Sequence, residues 1–211
     1  DRNHAAAWKC RSRQTRECRG VIYSNVSGIK EHDNVSQHEP YNPLDKLNLG
    51  ASVAEAILRQ TPLPLPPCSF SGAGIYVIYY TGDFAPYGPI ANANQGGRYQ
   101  WPIYVGKAVP KGGRKGRVNL SGSAVGSVLS SRLQEHAESI RQTDNLRIED
   151  FSCRFLVVDD IWIPLGETLL IRRFLPIWNL YLDGFGNHDP GSGRYNQKRS
   201  PWDVVHPGRP W

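Results

Sequence analysis

The sequence predicts an α+β fold in which a three-stranded central sheet, mixed or antiparallel, is flanked by helices. Three observations carry this. The run Ile75 to Tyr80 is β-branched and aromatic and is bounded by Gly74 and by Thr81-Gly82-Asp83, the composition and punctuation of a strand. Two later segments repeat apolar residues at helical period, and Phe151 to Val157 between them alternates at period two. A chain of 211 residues is long enough for one hydrophobic core and too short for two comfortable ones. One domain with N-terminal and C-terminal extensions is therefore expected.

In chain order, residues 1–40 are polar and lack a sustained apolar period, so they read as an arm or peripheral layer. Leu47, Leu49, Val53, Ala56 and Ile57 recur at roughly helical spacing between Pro43 and Gln60 and predict a helix. TPLPLPP, residues 61–67, ends it as a stiff linker, because proline removes a backbone donor and fixes φ. The core should begin near Gly72, with Ile75 to Tyr80 as its first strand. A stretch rich in Gly, Asn and Pro over 83–100 reads as a loop, and Ile103 to Val105 as a second strand, antiparallel to the first and closed by Gly106. KAVPKGGRKGRVN, residues 107–119, holds Lys107, Lys111, Arg114, Lys115 and Arg117 without an acid, on a backbone too rich in glycine for a helix. A basic loop is expected there.

Val125, Val128, Leu129, Leu133, Ala137 and Ile140 mark one face of a helix from Ala124 to Arg141. Arg132 and His136, four apart, sit on the edge of that stripe. Phe151, Cys153, Phe155 and Val157 predict a third, half-buried strand. Pro164 to Leu175 reads as a further helix stopped by Pro176; it buries Leu170, Ile171 and Phe174 and places Glu167 on the same face. The tail from Asp183 to Trp211, full of Gly, Pro, Asn and basic residues, is ordered by what it touches.

Lys and Arg number 25 against 19 for Asp and Glu, a net charge of +6 that permits a nucleic-acid partner without requiring one. Cys10, Cys18, Cys68 and Cys153 form no CxxC pair, and the seven residues between Cys10 and Cys18 depart from the spacing of a zinc knuckle with His4 and His32. Free thiols, no signal peptide and no apolar run of transmembrane length point to a soluble, reducing, cytoplasmic setting without a membrane. The sequence contains no methionine, position 1 included, so residues of the natural chain are expected beyond those given.

Tyr76, Tyr104, Arg132, His136 and Glu167 are expected to point towards one corner. Each alone has an ordinary explanation: a packed strand tyrosine, a snorkelling or capping side chain, a carboxylate at the positive end of a helix. Together they supply what phosphodiester hydrolysis needs. A single carboxylate can hold one Mg²⁺ largely through waters, which suits Glu167. A guanidinium matches phosphate oxygens in geometry and keeps its charge, which suits Arg132. A phenol near a cation gives up its proton more readily, which suits Tyr76, with Lys107 and His136 as rivals for the proton.

These residues carry a resemblance. GIYVIYY followed by IYVGKA resembles the two-part signature of the GIY-YIG nuclease superfamily, with Val105 in place of the middle isoleucine. SSRLQEH then supplies a helix arginine at Arg132, GETLLIRRFLPIWN a metal glutamate at Glu167, and Asn179 follows twelve residues later. The expanded basic loop, His136 one turn after the arginine, and the tail DGFGNHDPGSGRYNQKRSPWDVVHPGRPW are similar to the type II restriction endonuclease branch, and the tail resembles that of enzymes with SacII-type specificity, CCGCGG. The resemblance implies a division into residues 1–68 (arm, helix and linker), 69–182 (catalytic core) and 183–211 (a DNA-contacting or packing extension). It implies Tyr76 as general base or water-orienting group and Tyr104 as positioning the water or phosphate. Arg132 would stabilise the phosphorus at the transition state, and His136 would join the proton transfer. Glu167 would bind Mg²⁺, with Mn²⁺ as a substitute, Asn179 would hold the local network and Lys107 would contact phosphate or water.

A palindromic site in double-stranded DNA is read most simply by a homodimer, which supplies one active site per strand. G and C pairs ask for arginine or lysine forks on guanine and for carboxylates or amides on cytosine. The candidates are Lys111, Arg114, Lys115 and Arg117 in the basic loop, and Arg194, Gln197, Lys198 and Arg199 in the tail. For any single lysine, simple neutralisation of phosphate is the competing explanation. Asn187 and His188 belong either to the site or to a plain turn, and Trp202 and Trp211 either stack on DNA or pack on the body. The competing functions are a structure-specific or homing endonuclease of the same superfamily and a non-catalytic DNA-binding module.

Overall fold

The computed structural model describes residues 41–110, 126–187 and 198–210. In chain order these form helix α1 (Lys46–Leu58), strand β1 (Leu63–Pro64), strand β2 (Gly74–Tyr80), helix α2 (Gly88–Asn94), strand β3 (Tyr104–Ala108), helix α3 (Val128–Arg141), strand β4 (Phe151–Val157), and helices α4 (Ile163–Phe174), α5 (Ile177–Leu180) and α6 (Pro201–Val205). The strands make one antiparallel sheet in the order β1-β4-β2-β3. The α+β class and the three strands read from the sequence are present. The helix expected from Ala124 begins only at Val128, since Gly126 and Ser127 are not helical; Ala124 and Val125 themselves lie outside the described residues.

Three further features differ from the sequence reading: the second strand runs from Tyr104 through Gly106 to Ala108, so Gly106 does not close it and Lys107 belongs to the strand rather than the basic loop, and proline explains the other two. The proline-rich linker is partly a strand: Leu63 and Pro64 pair with Cys153 and Ser152, at the sheet edge, where a residue without an N–H is tolerated. The stretch expected as a loop over 83–100 contains a 3₁₀ turn, Ala85–Tyr87, running into α2. Its prolines stand in first helical turns, where the missing N–H has no partner to lose. Asn94 ties the end of α2 back to the sheet: its amide donates to the carbonyls of Tyr80 (3.0 Å) and Trp101 (2.8 Å) and accepts from the Trp101 N–H (2.9 Å).

β2 is buried at every residue, because a core lies on each of its faces. Tyr76, Ile78 and Tyr80 join Leu129, Leu133, Ala137 and Ile140 of α3, Trp178 of α5, and Phe185 and Trp202 of the tail. Ile75, Val77 and Tyr79 join Ala54 and Ile57 of α1 and Ile163 and Leu170 of α4. Tyr79 and Tyr80 are structural: the Tyr79 hydroxyl accepts from Arg154 Nη1 at 2.7 Å, and the Tyr80 hydroxyl accepts from the Phe84 N–H at 2.8 Å. Trp202 has 0 % exposure and so packs on the body, with no face left for a base. Trp211 lies outside the described residues.

Helix α1 starts at Asp45, whose carboxylate accepts the Leu47 N–H at 2.8 Å. It approaches α4 closely because Gly50 has no side chain where Leu165 and Leu169 lie. Gly166 does the same on the other side, since a Cβ there would come within 2.7 Å of Val53 and 3.0 Å of Ile75. That tight seat fixes the height of the next residue, Glu167, over the sheet.

Candidate active site

The register of β2 on β3 pairs Tyr76 with Gly106 and Ile78 with Tyr104. Side chains alternate across a strand, so both tyrosines lie on the α3 face, with ring centroids 6.2 Å apart. Gly106 allows this, because a Cβ there would overlap the Tyr76 hydroxyl and ring. The glycine read in the sequence as closing a strand thus makes room for the tyrosine opposite it.

Helix α3 brings up Arg132 and His136. The Tyr76 hydroxyl lies 2.6 Å from His136 Nε2 and also hydrogen-bonds Arg132 and Tyr104. Arg132 donates through Nη1 to Glu135 at 2.7 Å and through Nη2 to the Gly186 carbonyl at 2.5 Å. The His136 ring stacks on Phe185 at 4.5 Å and 18° and meets the edge of Tyr104 at 5.2 Å. Burial holds Tyr76 well above the ordinary phenol range; the neighbouring Tyr104 raises it further and the Arg132 guanidinium opposes the rise. Tyr104 is likewise raised, by burial first, against the pull of Arg132.

On the opposite face of β3, Lys107 pairs in register with Ile75 and its Nζ lies 2.6 Å from Glu167 Oε2. The Glu167 side chain is 18 % exposed and that of Lys107 40 %. Asn179 closes the outer edge of β3: it donates to the Val105 carbonyl and accepts the Val105 N–H, both at 2.8 Å, as a neighbouring strand would. The seven candidate residues therefore straddle this one edge strand. Tyr76, Tyr104, Arg132 and His136 lie on one side, the Lys107–Glu167 pair on the other, and Asn179 at the rim. The two sides are electrically coupled, since the Glu167 charge raises both Tyr76 and Tyr104.

Glu167 offers a single, partly exposed carboxylate to a cation. No group of three or more His, Cys, Asp or Glu converges among the described residues. One carboxylate completed by water and phosphate oxygens is the pattern of Mg²⁺. The Lys107 bond engages Oε2, and a carboxylate accepts at both oxygens.

Lys111, Arg114, Lys115, Arg117, Arg194, Gln197 and His188 lie outside the described residues. Lys198 and Arg199 are exposed just before α6, and Asn187 is exposed where its N–H closes a turn onto the Gly184 carbonyl at 3.1 Å. Phe185 and Gly186 were not singled out in the sequence. Their signal was the apolar residue between glycines in DGFG, at a place where glycine looks like simple turn chemistry. A Cβ on Gly186 would come within 2.7 Å of the Tyr104 hydroxyl.

The five residues expected at one corner are therefore divided by an edge strand, the Arg132 guanidinium beside the paired tyrosines and the Glu167 carboxylate across β3 from them, and the strand and helix motifs that carry them are those of the GIY-YIG nucleases. The protein is a nuclease of that class, with DNA as its substrate. The family model described as the Eco29kI GIY-YIG domain matches residues 68–211, and the chain belongs to this family of restriction-type GIY-YIG nucleases. None of the curated proteins compared with it matches. No helix among the described residues is long and apolar enough to cross a membrane.

Proposed function

We propose that the protein is a type II restriction endonuclease: a cytoplasmic homodimer that hydrolyses double-stranded DNA, with Mg²⁺, at a GC-rich palindrome, CCGCGG by resemblance. The observation that carries this reading is the 2.6 Å contact between Tyr76 and His136, beside a guanidinium and across β3 from a carboxylate. Hydrolysis needs a group to orient and deprotonate water, and here a phenol has a proton acceptor within reach.

Arg132 can only donate, so the Tyr76 proton has two places to go: the Tyr104 oxygen, and His136 Nε2 in the tautomer that carries its proton on Nδ1. A phenol raised by burial is a poor base on its own. Tyr76 takes a proton from the attacking water as it passes its own to His136 Nε2. Arg132, with Nη2 fixed on Gly186, exchanges the Glu135 carboxylate on Nη1 for a phosphate oxygen and neutralises charge that develops there. Glu167 would hold Mg²⁺, or Mn²⁺ in its place, and the cation would supply positive charge to offset the negative charge developing in the reaction. Lys107 orients the Glu167 carboxylate and contacts phosphate. Asn179 holds β3 in register, so that Tyr104 and Lys107 face their opposite sides.

Incubation with supercoiled plasmid and Mg²⁺ is expected to give discrete fragments. Glu167→Ala is expected to bind the same DNA and leave it uncut. A smear, or preference for a branched duplex over a palindrome, would move the function to a structure-specific or homing nuclease. Salt-sensitive binding without any cleavage by the unaltered chain would make it a binding module.

A further inference from the structure

The segment Gly184 to Gly186 touches three of the four residues on the tyrosine side of the site. Phe185 stacks on His136 at 4.5 Å and meets the edge of Tyr104 at 5.0 Å, and the Gly186 carbonyl accepts from Arg132. The segment is not part of a helix or strand, so something else must fix it. Arg209, 3 % exposed, lies against its back. Arg209 Nη2 donates to the Gly184 carbonyl at 3.0 Å, Nη1 approaches the Phe185 carbonyl at 3.5 Å, and Nε donates to Asp203 Oδ1 at 2.6 Å. The guanidinium carbon also sits 4.4 Å from the centre of the Trp202 ring.

We propose that Arg209, held by Asp203, is a positioning residue for the active site: it sets the backbone of 184–186, which in turn aims Arg132 and fixes the His136 ring. The inference rests on the nuclease reading for its catalytic consequence. A buried guanidinium persists only when paired and hydrogen-bonded, and this one spends its planar fork on a carboxylate and consecutive carbonyls. Asp203 is fixed in turn, because Ser200 Oγ donates to its Oδ2 at 2.6 Å and accepts its N–H at 3.2 Å. Consecutive carbonyls are shared out, Gly184 and Phe185 to Arg209 and Gly186 to Arg132. A shift of the segment at its back therefore moves the partner of Arg132 directly. Lysine keeps the charge but loses the fork.

The test compares the full chain with Arg209→Lys, and with Asp203→Asn should the first variant fail to fold, by two readouts. NMR of the imidazole protons reads the stacking of His136 on Phe185 without requiring activity. Single-turnover cleavage of plasmid, with the Kd for uncut DNA measured separately, reads the chemistry. We expect the His136 ring signals to move downfield as the shielding face of Phe185 tilts away. The cleavage rate should fall about 10- to 100-fold, as a displacement near 1 Å does to an oriented site, with Kd unchanged. Wild-type His136 signals in a folded variant would overturn the proposal, as would shifted signals with an undiminished rate. If the unaltered chain cuts no DNA, the nuclease reading fails on its own, and the NMR comparison still decides whether Arg209 sets the His136 ring.

Discussion

Burial shields Tyr76 from bulk solvent and sets its hydroxyl among three polar partners, which makes it sensitive to single atoms. Tyr76→Phe removes only that oxygen. Cleavage is expected to fall by about 10²- to 10⁴-fold, the usual contribution of a positioned proton-transfer group, with DNA binding retained in a filter or gel-shift assay. A drop smaller than tenfold would pass the role to His136, on the same side of β3, or to Lys107 across it. Glu135 offers a test in the opposite direction. Its carboxylate is 52 % exposed and occupies Nη1 of Arg132 at 2.7 Å, so it competes with phosphate while contributing little stability. Glu135→Gln should bind DNA a few-fold more tightly at low salt, the gain shrinking as salt rises, with an unchanged melting temperature. Weaker binding would show instead that Glu135 itself serves the DNA.

Among elements, β3 is the one on which everything hangs, and it is an edge strand. Its inner side is bonded to β2 and its outer side at Val105 to the amide of Asn179. Asn179→Ala exposes both backbone groups and should cost about 1–3 kcal/mol by chemical denaturation, with a loss of cleavage larger than the loss of stability explains. Gly106→Ala should leave the chain folded but lose activity to about the extent of Tyr76→Phe, because the added methyl takes the space of that ring; full activity would mean that Tyr76 need not lie across β3. β4 and the long helices were legible because burial on one face imposes a period that sequence displays, and β2, buried on both faces, by its β-branched and aromatic run. Arg132, His136, Glu167 and Asn179 were legible from motif order on those elements. β1 and α2 were hidden by prolines that usually signal their absence. Phe185, Gly186 and Arg209 were hidden because their order comes from contacts distant in sequence, and no local period records those.

At the scale of the whole molecule, a second tyrosine–histidine pair locks the tail onto the body. Trp178 Nε1 donates to the Tyr87 hydroxyl at 2.9 Å, that hydroxyl lies 2.5 Å from His206 Nε2, and His206 Nδ1 lies 2.9 Å from Asn145 Oδ1. The Asn145 amide is oriented by its own bond to the Val205 carbonyl, so Asn145 Oδ1 accepts, Nδ1 carries the proton and Nε2 accepts from Tyr87. That chain requires a neutral imidazole, and burial lowers His206 from 6.5 to about 4. Between those two pH values the unfolded chain binds more protons than the folded one, so stability falls as pH falls, by roughly 3 kcal/mol over the window. Denaturant titrations at pH 7 and pH 4.5 should show a smaller acid loss for His206→Gln than for the unaltered chain. Equal losses would contradict a neutral buried His206.

The two-fold arrangement proposed for DNA cleavage puts one such site on each strand of a symmetric sequence. Mapping the ends of a sequenced plasmid after Mg²⁺-dependent digestion, strand by strand to the nucleotide, tests the central claim most directly. Every cut is expected to fall within a single GC-rich palindrome, at positions related by its two-fold axis, and to vanish with Glu167→Ala. Ends scattered over unrelated sequences, or cuts that persist without Glu167, would contradict it.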